Sequence, residues 1–192
     1  MIKYLILDAE MGGRELKYSL LTAYFMVTDD KFHLMGDLYL QVKPEDGVYI
    51  VSGQGMGVNQ INLQKHDTIA TPYKEAKPLL YKFLKIHSDD GCRLTPVGHG
   101  IVGDIKHIQD KLISVGSWEQ FCTYHFIDTS VVLQFLRACG KMPFDTDGSV
   151  EALAKYFNIN QKPGDDAQWH DAKFDTLMTM KVLEKFVELG KS

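Results

Sequence analysis

The sequence has few cysteines, no excess of positive charge and no long apolar run. Its three cysteines, Cys92, Cys122 and Cys139, include no Cys-x-x-Cys pair, so neither a disulfide framework nor a zinc knuckle is indicated. No apolar stretch approaches the length that spans a bilayer, and no charged leader precedes an apolar segment. We therefore expect a soluble, intracellular protein of the cytoplasm.

The formal net charge of -4 is not typical of a protein that coats duplex nucleic acid, because nonspecific phosphate binding requires a basic surface. Nucleic acid is still compatible with this charge, since metal ions held by carboxylates make a local positive centre in an acidic protein. The chain has 192 residues, of which 45% are hydrophobic, enough for one sizeable core. We expect a single domain over residues 1–192.

The first third of the chain is predicted to be mostly β-structure. Residues 2–7 form an apolar run typical of a buried strand, and residues 19–28 and 33–43 predict two strands of an antiparallel hairpin or meander. Residues 47–67 contain four glycines and show little periodicity. We expect a long irregular loop there, of the kind that is usually functional or mobile.

The rest of the chain alternates between predicted strands and helices. A helix is expected after Pro72, with Pro78 either kinking it or setting its start. The other predicted elements are strands at 93–97 and 124–127 and helices from Asp104, after Thr129, at 149–157 and from Asp171 to Leu189, with a loop at 160–168 and Gly190 as a stop signal. Three antiparallel strands followed by alternating strands and helices favour a mixed α/β layer fold.

Two carboxylates follow the first apolar run. Asp8 and Glu10 are two positions apart, so the strand periodicity places both on one face of the sheet. Like charges at the mouth of a core repel each other, and a hard divalent ion is the natural partner. The alternative is an exposed strand end with two solvated acids.

Three further polar residues lie far along the chain. Asp104 follows a Gly-rich turn and precedes a helix, where a cap or first-turn acid is also expected. His170 and Asp175 flank the start of the last predicted helix, and Asp171 is the better candidate for its N-cap. Asp175 is then held rigidly by the helix, while His170 lies just before it.

In combination these positions resemble the DEDDh superfamily of proofreading-type, DnaQ-like 3′→5′ exonucleases, which includes the polymerase III epsilon subunit, RNase T and oligoribonuclease. Asp8 and Glu10 match the first motif, and Gly98, His99 and Asp104 match the second. The third motif, His-x-x-x-x-Asp, matches His170 and Asp175, with Ala172 between them, and the auxiliary Asp-Thr pair matches Asp128 and Thr129. The match runs through nearly the whole chain in the family's order.

Two positions depart from the pattern of many relatives. Gly100 stands where many have Asn, and Met11, Gly12 and Gly13 stand where many have Thr-Thr-Gly. A Met directly after the motif Glu resembles the RNA-processing branches, which favours RNA over DNA as the substrate.

The resemblance implies an RNase H-like fold, with a mixed five-stranded sheet of three antiparallel and then parallel strands flanked by helices. It also implies a two-metal phosphodiester hydrolase with Mg²⁺, or Mn²⁺ in its place. Asp8 would bridge the two ions, Glu10 and Asp175 would share one, and Asp104 would complete the other side. His170 would accept the proton of the attacking water.

The implied substrate is a single-stranded RNA or DNA 3′ end, from which nucleoside monophosphates are removed. We expect four residues to contact it: Met11, Gly12, Val58 and His99. Turn-forming roles for the glycine and a buried methionine are the alternatives. A homodimer, or a polymerase or processing complex joined in trans, is the expected kind of protein partner.

Three other functions compete with this hypothesis. A catalytically silent exonuclease-fold binding subunit usually loses an acid or the His, whereas this chain keeps all five. An RNase H-like endonuclease would not be expected to carry the His-x-x-x-x-Asp pair. A zinc site built from His99, His107, His125 and Cys122 has suitable ligand types, but the spacing fits no common site.

Overall fold

The computed structural model describes residues 2–88, 91–159 and 170–191, and its strands form one six-stranded mixed sheet. The strand order is β4-β3-β2-β1-β5-β6. The strands are β1 (Tyr4–Met11), β2 (Leu20–Thr28), β3 (Leu34–Lys43), β4 (Thr71–Pro72), β5 (Thr95–Gly98) and β6 (Ile127–Asp128). The helices are α1 (Gly53–Asn59), α2 (Leu63–Ile69), α3 (Tyr73–His87), α4 (Val102–Lys111), α5 (Val115–Phe121), α6 (Thr129–Ala138), α7 (Val150–Tyr156) and α8 (Ala172–Lys191).

The mixed α/β, RNase H-like fold predicted from the sequence is confirmed, with one strand more than expected. Strands β1, β2 and β3 pair antiparallel, while β5 pairs parallel to β1 and β6 parallel to β5. The additional strand β4 has two residues and pairs parallel to the outer side of β3. A two-residue strand gives no periodicity, so the sequence pattern could not predict it.

The alternation along β1 divides the core between the two faces of the sheet. Leu5, Leu7 and Ala9 belong to one buried cluster, together with side chains of α3 and α4. Ile6 belongs to a second cluster on the other face, with Ala172 and Leu183 of α8. Asp8 and Glu10 are two and four positions after Ile6, so their side chains point to the same face as Ile6, which α8 covers.

The parallel strands β1 and β5 place the candidate residues at one edge of the sheet. Helix α4 begins soon after the carboxyl end of β5, and α6 begins directly after β6, where the Asp128 carboxylate caps it by accepting from the Ser130 amide. Ligands of α/β sheets bind outside the carboxyl ends of the strands. This edge is therefore where the fold places the candidate site.

The predicted loop at 47–67 is wrong, because α1 and α2 lie within it. Both helices are capped by side chains, since Ser52 accepts from the Gly55 amide and Asn62 accepts from the Lys65 amide. Any side chain at position 55 would place its Cβ too close to the Gly12 carbonyl group and the Gly13 nitrogen. Gly55 therefore allows α1 to approach the end of β1. Seven-residue helices such as α1 and α2 are too short to show a clear period.

Other predicted bounds were also inaccurate. The strand predicted at 124–127 is confined to Ile127–Asp128, and α5, capped by Ser114, was not predicted. Helix α4 begins at Val102, close to the start predicted near Asp104, whereas α8 continues through Gly190 to Lys191, so Gly190 does not end it. The loop predicted at 160–168 lies outside the described residues.

The remaining predicted helices are confirmed. Helix α3 begins at Tyr73 directly after Pro72, so Pro78 lies inside it and does not set its start. Helix α7 is capped by Ser149, which accepts from the Ala152 amide. Among the described helices, none has both the length and the apolar character that crossing a bilayer requires.

The glycines of α1 provide a test of the contact with β1. We expect Gly55→Ala to destabilise the fold by about 1–3 kcal/mol, because the new methyl group overpacks against backbone. Gly57→Ala is the matched control, since a Cβ on Gly57 meets no atom within 4 Å. It should be neutral or stabilise the helix by up to about 1 kcal/mol. Urea denaturation curves would measure both, and equal stabilities for the two variants would contradict the close approach.

Candidate active site

Asp8 and Glu10 lie side by side near the end of β1. Asp8 is paired with Tyr24 of β2 and Glu10 with Thr22, and both acids are half-buried. The predicted placement of the two carboxylates on one face of the sheet is confirmed. Since that face is covered by α8, the two side chains extend toward the start of that helix.

The start of α8 brings the third motif to the same place. Asp171 caps the helix by accepting from the Phe174 amide at 3.0 Å, as the sequence predicted. The amide of His170 donates to Asp175 Oδ2 at 3.1 Å, and His170 has a left-handed backbone with φ of 67°. The Asp175 carboxylate therefore fixes the backbone that precedes its own helix.

Glu10, His170 and Asp175 form a cluster that could hold a metal ion. One ligand atom from each residue lies within 4.8 Å of those of the other two. Asp175 Oδ1 is buried and has no hydrogen-bond partner among residues 2–88, 91–159 and 170–191. A buried carboxylate oxygen without a donor is costly, and a bound cation would satisfy it.

Asp104 lies in the first turn of α4 and is 8% exposed. The cap position of that helix is Ile101, so Asp104 does not serve as the N-cap. Burial raises the pKa of Asp8, and the charges of Asp104, Glu10 and Asp175 raise it further. The second-motif acid is thus electrostatically coupled to the first motif.

The other acids are shifted in the same direction. Burial raises the pKa of Glu10 to about 8, and the negative charges of Asp175 and Asp104 add to the shift. Burial likewise raises the pKa of Asp104 to about 8 and that of Asp175 to about 7. Near neutral pH these groups bind either protons or cations, so the donor set fits hard divalent ions.

These side chains border a cavity of about 390 Å³. Asp8, His170 and Asp175 line it, together with Ser149, Val150 and Glu151 from the start of α7 and with His99 from the second motif. Glu151 was not predicted as a site residue, although its helix was. Its negative charge also raises the pKa of Asp175. The helical pattern at 149–157 gave no signal that α7 would face the cavity.

His99, predicted to contact substrate, is held at the wall of the cavity. The Thr129 hydroxyl donates to the Gly98 carbonyl at 3.2 Å, so the His99 ring is the donor in its 2.9 Å Nδ1 contact with Thr129 Oγ1. Burial lowers the pKa of His99, against the opposite effect of the Asp128 charge. The auxiliary Asp-Thr pair therefore positions the second-motif turn.

A second cavity of about 180 Å³ lies on the Glu10 side of the site. Met11 and Val58, both predicted to contact substrate, line it, and so does the exposed Arg14. A built Cβ on Gly12 would lie 2.7 Å from Val51 Cγ1. Glycine at position 12 thus allows the chain to pack on itself, and contact between Gly12 and substrate stays a prediction.

The alternative zinc site is not formed. Among the described residues, the one group of three or more acids, histidines or cysteines close enough to hold a metal ion is Glu10, His170 and Asp175. His107 is bonded to backbone carbonyls, and Cys122 belongs to the buried core cluster beneath the sheet.

Comparisons with known proteins support the fold. No protein-family model matches the sequence, and no curated protein matches it. Solved structures of exonuclease I, however, superpose on 98% of the chain. The chain has the exonuclease I fold.

The matched structures include the zinc-bound form of Escherichia coli exonuclease I with single-stranded DNA, with a TM-score of 0.75 and 17% identity. E. coli exonuclease I with a dT13 oligonucleotide gives a TM-score of 0.73 and 17% identity. Exonuclease I from Methylocaldum szegediense gives 0.72 and 17%. The chain spans 41% of the dT13 complex protein and 40% of the other two. The predicted resemblance is confirmed for the fold.

The raised carboxyl pKa values predict how stability depends on pH when a chelator is present. The unfolded acids titrate near pH 4, whereas the folded ones titrate near pH 7 to 8. The folded state therefore binds extra protons between these values, and its stability falls as the pH rises through this window. We expect Tm to fall by several degrees between pH 5.5 and 8.5, at about 2–4 °C per kcal/mol, and Mn²⁺ to restore it.

Melting curves of two variants would check the cause. Asp104→Asn removes one coupled acid and should flatten the pH dependence. Asp110→Asn, on the same helix, removes a more exposed carboxylate paired with Lys111 at 2.7 Å and should leave it unchanged. A wild-type Tm that is constant with pH in chelator would contradict the coupling.

Proposed function

We propose that the protein is a metal-dependent 3′→5′ exonuclease that removes nucleoside monophosphates from single-stranded nucleic acid. The observation that carries this proposal is the coupling of Asp8, Glu10, Asp104 and Asp175 beside His170 at one sheet edge. The fold of the chain, shared with exonuclease I, is compatible with the same reaction. Membership of the DEDDh superfamily is part of the proposal.

Asp8, Glu10, Asp104 and Asp175 would hold two divalent ions, Mg²⁺ or Mn²⁺. Bound there, the ions would lower the pKa of the attacking water and neutralise charge on the leaving oxygen. The half-buried acids are suited to this task because their mutual repulsion is relieved only by cations or protons. The unsatisfied Asp175 Oδ1 supports the same assignment.

His170 would accept the proton of the attacking water. It is exposed, it lines the cavity with Asp8 and Asp175, and its ring nitrogen is within 4.8 Å of a carboxylate oxygen of Asp175. An imidazole at the rim of a metal cluster can take a proton from the site and pass it to solvent. The left-handed backbone of His170 and the hydrogen bond from its amide to Asp175 fix the backbone position from which the imidazole side chain extends.

The cavity lined by Met11, Arg14 and Val58 would receive the 3′-terminal nucleotide. Its apolar side chains offer a surface for a base, and the Arg14 guanidinium offers a partner for a phosphate. Two of the matched exonuclease I structures contain a dT13 oligonucleotide or single-stranded DNA, while Met11 favours RNA by resemblance, so both substrates belong in the assay. Association with a second copy or with a polymerase in trans stays a prediction.

Substitutions at the site should separate proton transfer from metal binding. We expect His170→Ala to lower kcat by about 10²–10⁴-fold while Mn²⁺ binding persists, since a general base contributes that factor. Asp8→Asn should lose Mn²⁺ binding and turnover together. The measurements are product ladders from 5′-labelled DNA and RNA oligonucleotides and calorimetric titration with Mn²⁺.

The exposed Asp145 provides the control, because Asp145→Asn should behave as the wild type. A chelator should stop the wild-type reaction. Normal turnover by Asp8→Asn or His170→Ala would refute the assigned roles.

Circular single-stranded DNA distinguishes the competing functions. An exonuclease leaves it intact, an RNase H-like endonuclease cuts it, and a catalytically silent binding subunit leaves both linear and circular strands uncut. The chain keeps all four acids and His170, and ligand atoms of Glu10, His170 and Asp175 lie within 4.8 Å of one another, which argues against the silent subunit.

Substitution of Arg14 should weaken the binding of single-stranded DNA. Loss of one phosphate contact is expected to reduce the slope of log affinity against log salt by about 0.7. Lys17→Met is the matched control, since Lys17 is a nearby exposed cation that pairs with Glu15 at 3.1 Å. Fluorescence anisotropy of Arg14→Met at several salt concentrations, with Ca²⁺ in place of Mg²⁺, would measure the slope. Equal slopes for the two variants would count against the phosphate contact.

A further inference from the structure

The segment from Gly12 to Ser19, here called the 12–19 loop, forms part of the wall of the nucleotide cavity. Its base is closed by a 2.8 Å bond from the Gly12 amide to the Ser19 carbonyl, and its end is joined to the following segment by a 2.8 Å bond from the Ser19 amide to the Ile50 carbonyl. Gly13 and Arg14 line the cavity beside Glu10. The position of this loop therefore determines where Arg14 meets a ligand.

A buried histidine from a distant helix reaches the far side of this loop. His107 lies in α4, three residues after Asp104, and is 1% exposed. Its Nε2 is 3.1 Å from the backbone carbonyl oxygen of Glu15, and its Nδ1 is 3.1 Å from that of Gly103. The Glu15 carbonyl also accepts from the Tyr18 amide at 3.0 Å.

The chemistry of these partners defines what the ring does. A carbonyl oxygen can only accept, so each of these contacts is a hydrogen bond only when the ring nitrogen carries a proton. A buried polar group needs such a partner, and a neutral imidazole, which has one N–H, donates either to the Gly103 carbonyl in its own helix or to the Glu15 carbonyl, 92 residues away. The side chain of Glu15 is exposed and paired with Lys17, so His107 contacts the backbone of Glu15 and not its side chain.

We propose that His107 is a positioning residue that fixes the 12–19 loop to α4. Because Asp104 lies on the same helix, the contact fixes the position of the loop relative to Asp104. It thereby fixes the position of Arg14 relative to the acids. The effect on substrate rests on the proposed function, whereas the effect on the loop does not. His107 touches neither reacting atoms nor metal in this role and acts through the loop.

Two polar substitutions separate the two contacts of the ring. The amide nitrogen of His107→Gln can replace Nε2 and donate to the Glu15 carbonyl. The amide of His107→Asn ends near the place of Nδ1 and can reach the Gly103 carbonyl alone. Hydrogen exchange measured by mass spectrometry on the full chain should therefore show faster exchange in the 12–19 loop for Asn and near wild-type exchange for Gln.

His66→Asn is the matched control. His66 is also buried, and its Nε2 lies 3.0 Å from the Val42 carbonyl oxygen in another part of the fold. This variant should accelerate exchange around α2 and β3 and leave the 12–19 loop unchanged. If exchange in the loop rises equally in His66→Asn and His107→Asn, the loss is general destabilisation and the proposal fails.

Kinetics on single-stranded oligonucleotides provide the second measurement. His107→Asn should raise KM about tenfold with kcat nearly unchanged, because a lost buried hydrogen bond frees the loop but not the acids. His107→Gln should restore KM. Unchanged loop exchange in His107→Asn, or failure of Gln to restore it, would overturn the proposal. A wild type without nuclease activity would refute the proposed function and leave the exchange result to decide the role of His107.

Discussion

Repulsion among four carboxylates at one edge of the sheet is the constraint on which the site depends. Asp8 and Glu10 come from β1, Asp104 from the first turn of α4 and Asp175 from the first turn of α8. Burial raises the pKa of all four groups, and the charges of the other acids raise those of Asp8 and Glu10 further, so the folded state holds them at a cost unless protons or cations are bound. Four acids held together at such a cost form a set of oxygen ligands that is suited to divalent metal ions.

The rest of the structure supplies walls for this cluster. Helix α7 closes one side with Ser149, Val150 and Glu151, and α1 closes another because Gly55 lets its backbone approach the end of β1. Side chains of other elements contact the connecting turns: His99 Nδ1 bonds to Thr129 Oγ1, and His107 Nε2 lies 3.1 Å from the Glu15 carbonyl oxygen. The acids lie on rigid elements, and the loops around them are held by bonds from other elements.

The sequence predicted the faces and caps on which the candidate residues lie better than it predicted the bounds of the surrounding elements. Local spacing placed three of the candidate acids: Asp8 and Glu10 are two positions apart in a strand, and Asp175 is one helical turn beyond the Asp171 cap. Identity to the exonuclease I structures is only 17%, while the fold is shared over 98% of the chain. Short capped helices such as α1 and α2 were missed because seven residues give little periodicity.

The sequence by itself determined the local order of the chain, since strand alternation, capping side chains and helical spacing act between neighbouring residues. Only the tertiary structure decided which distant groups meet. It placed Glu151 on the cavity that Asp8, His170 and Asp175 line, added the two-residue strand β4 and brought His107 to a carbonyl 92 residues away. Such contacts are chosen by the packing of whole elements, and no pattern within a short window of sequence records them.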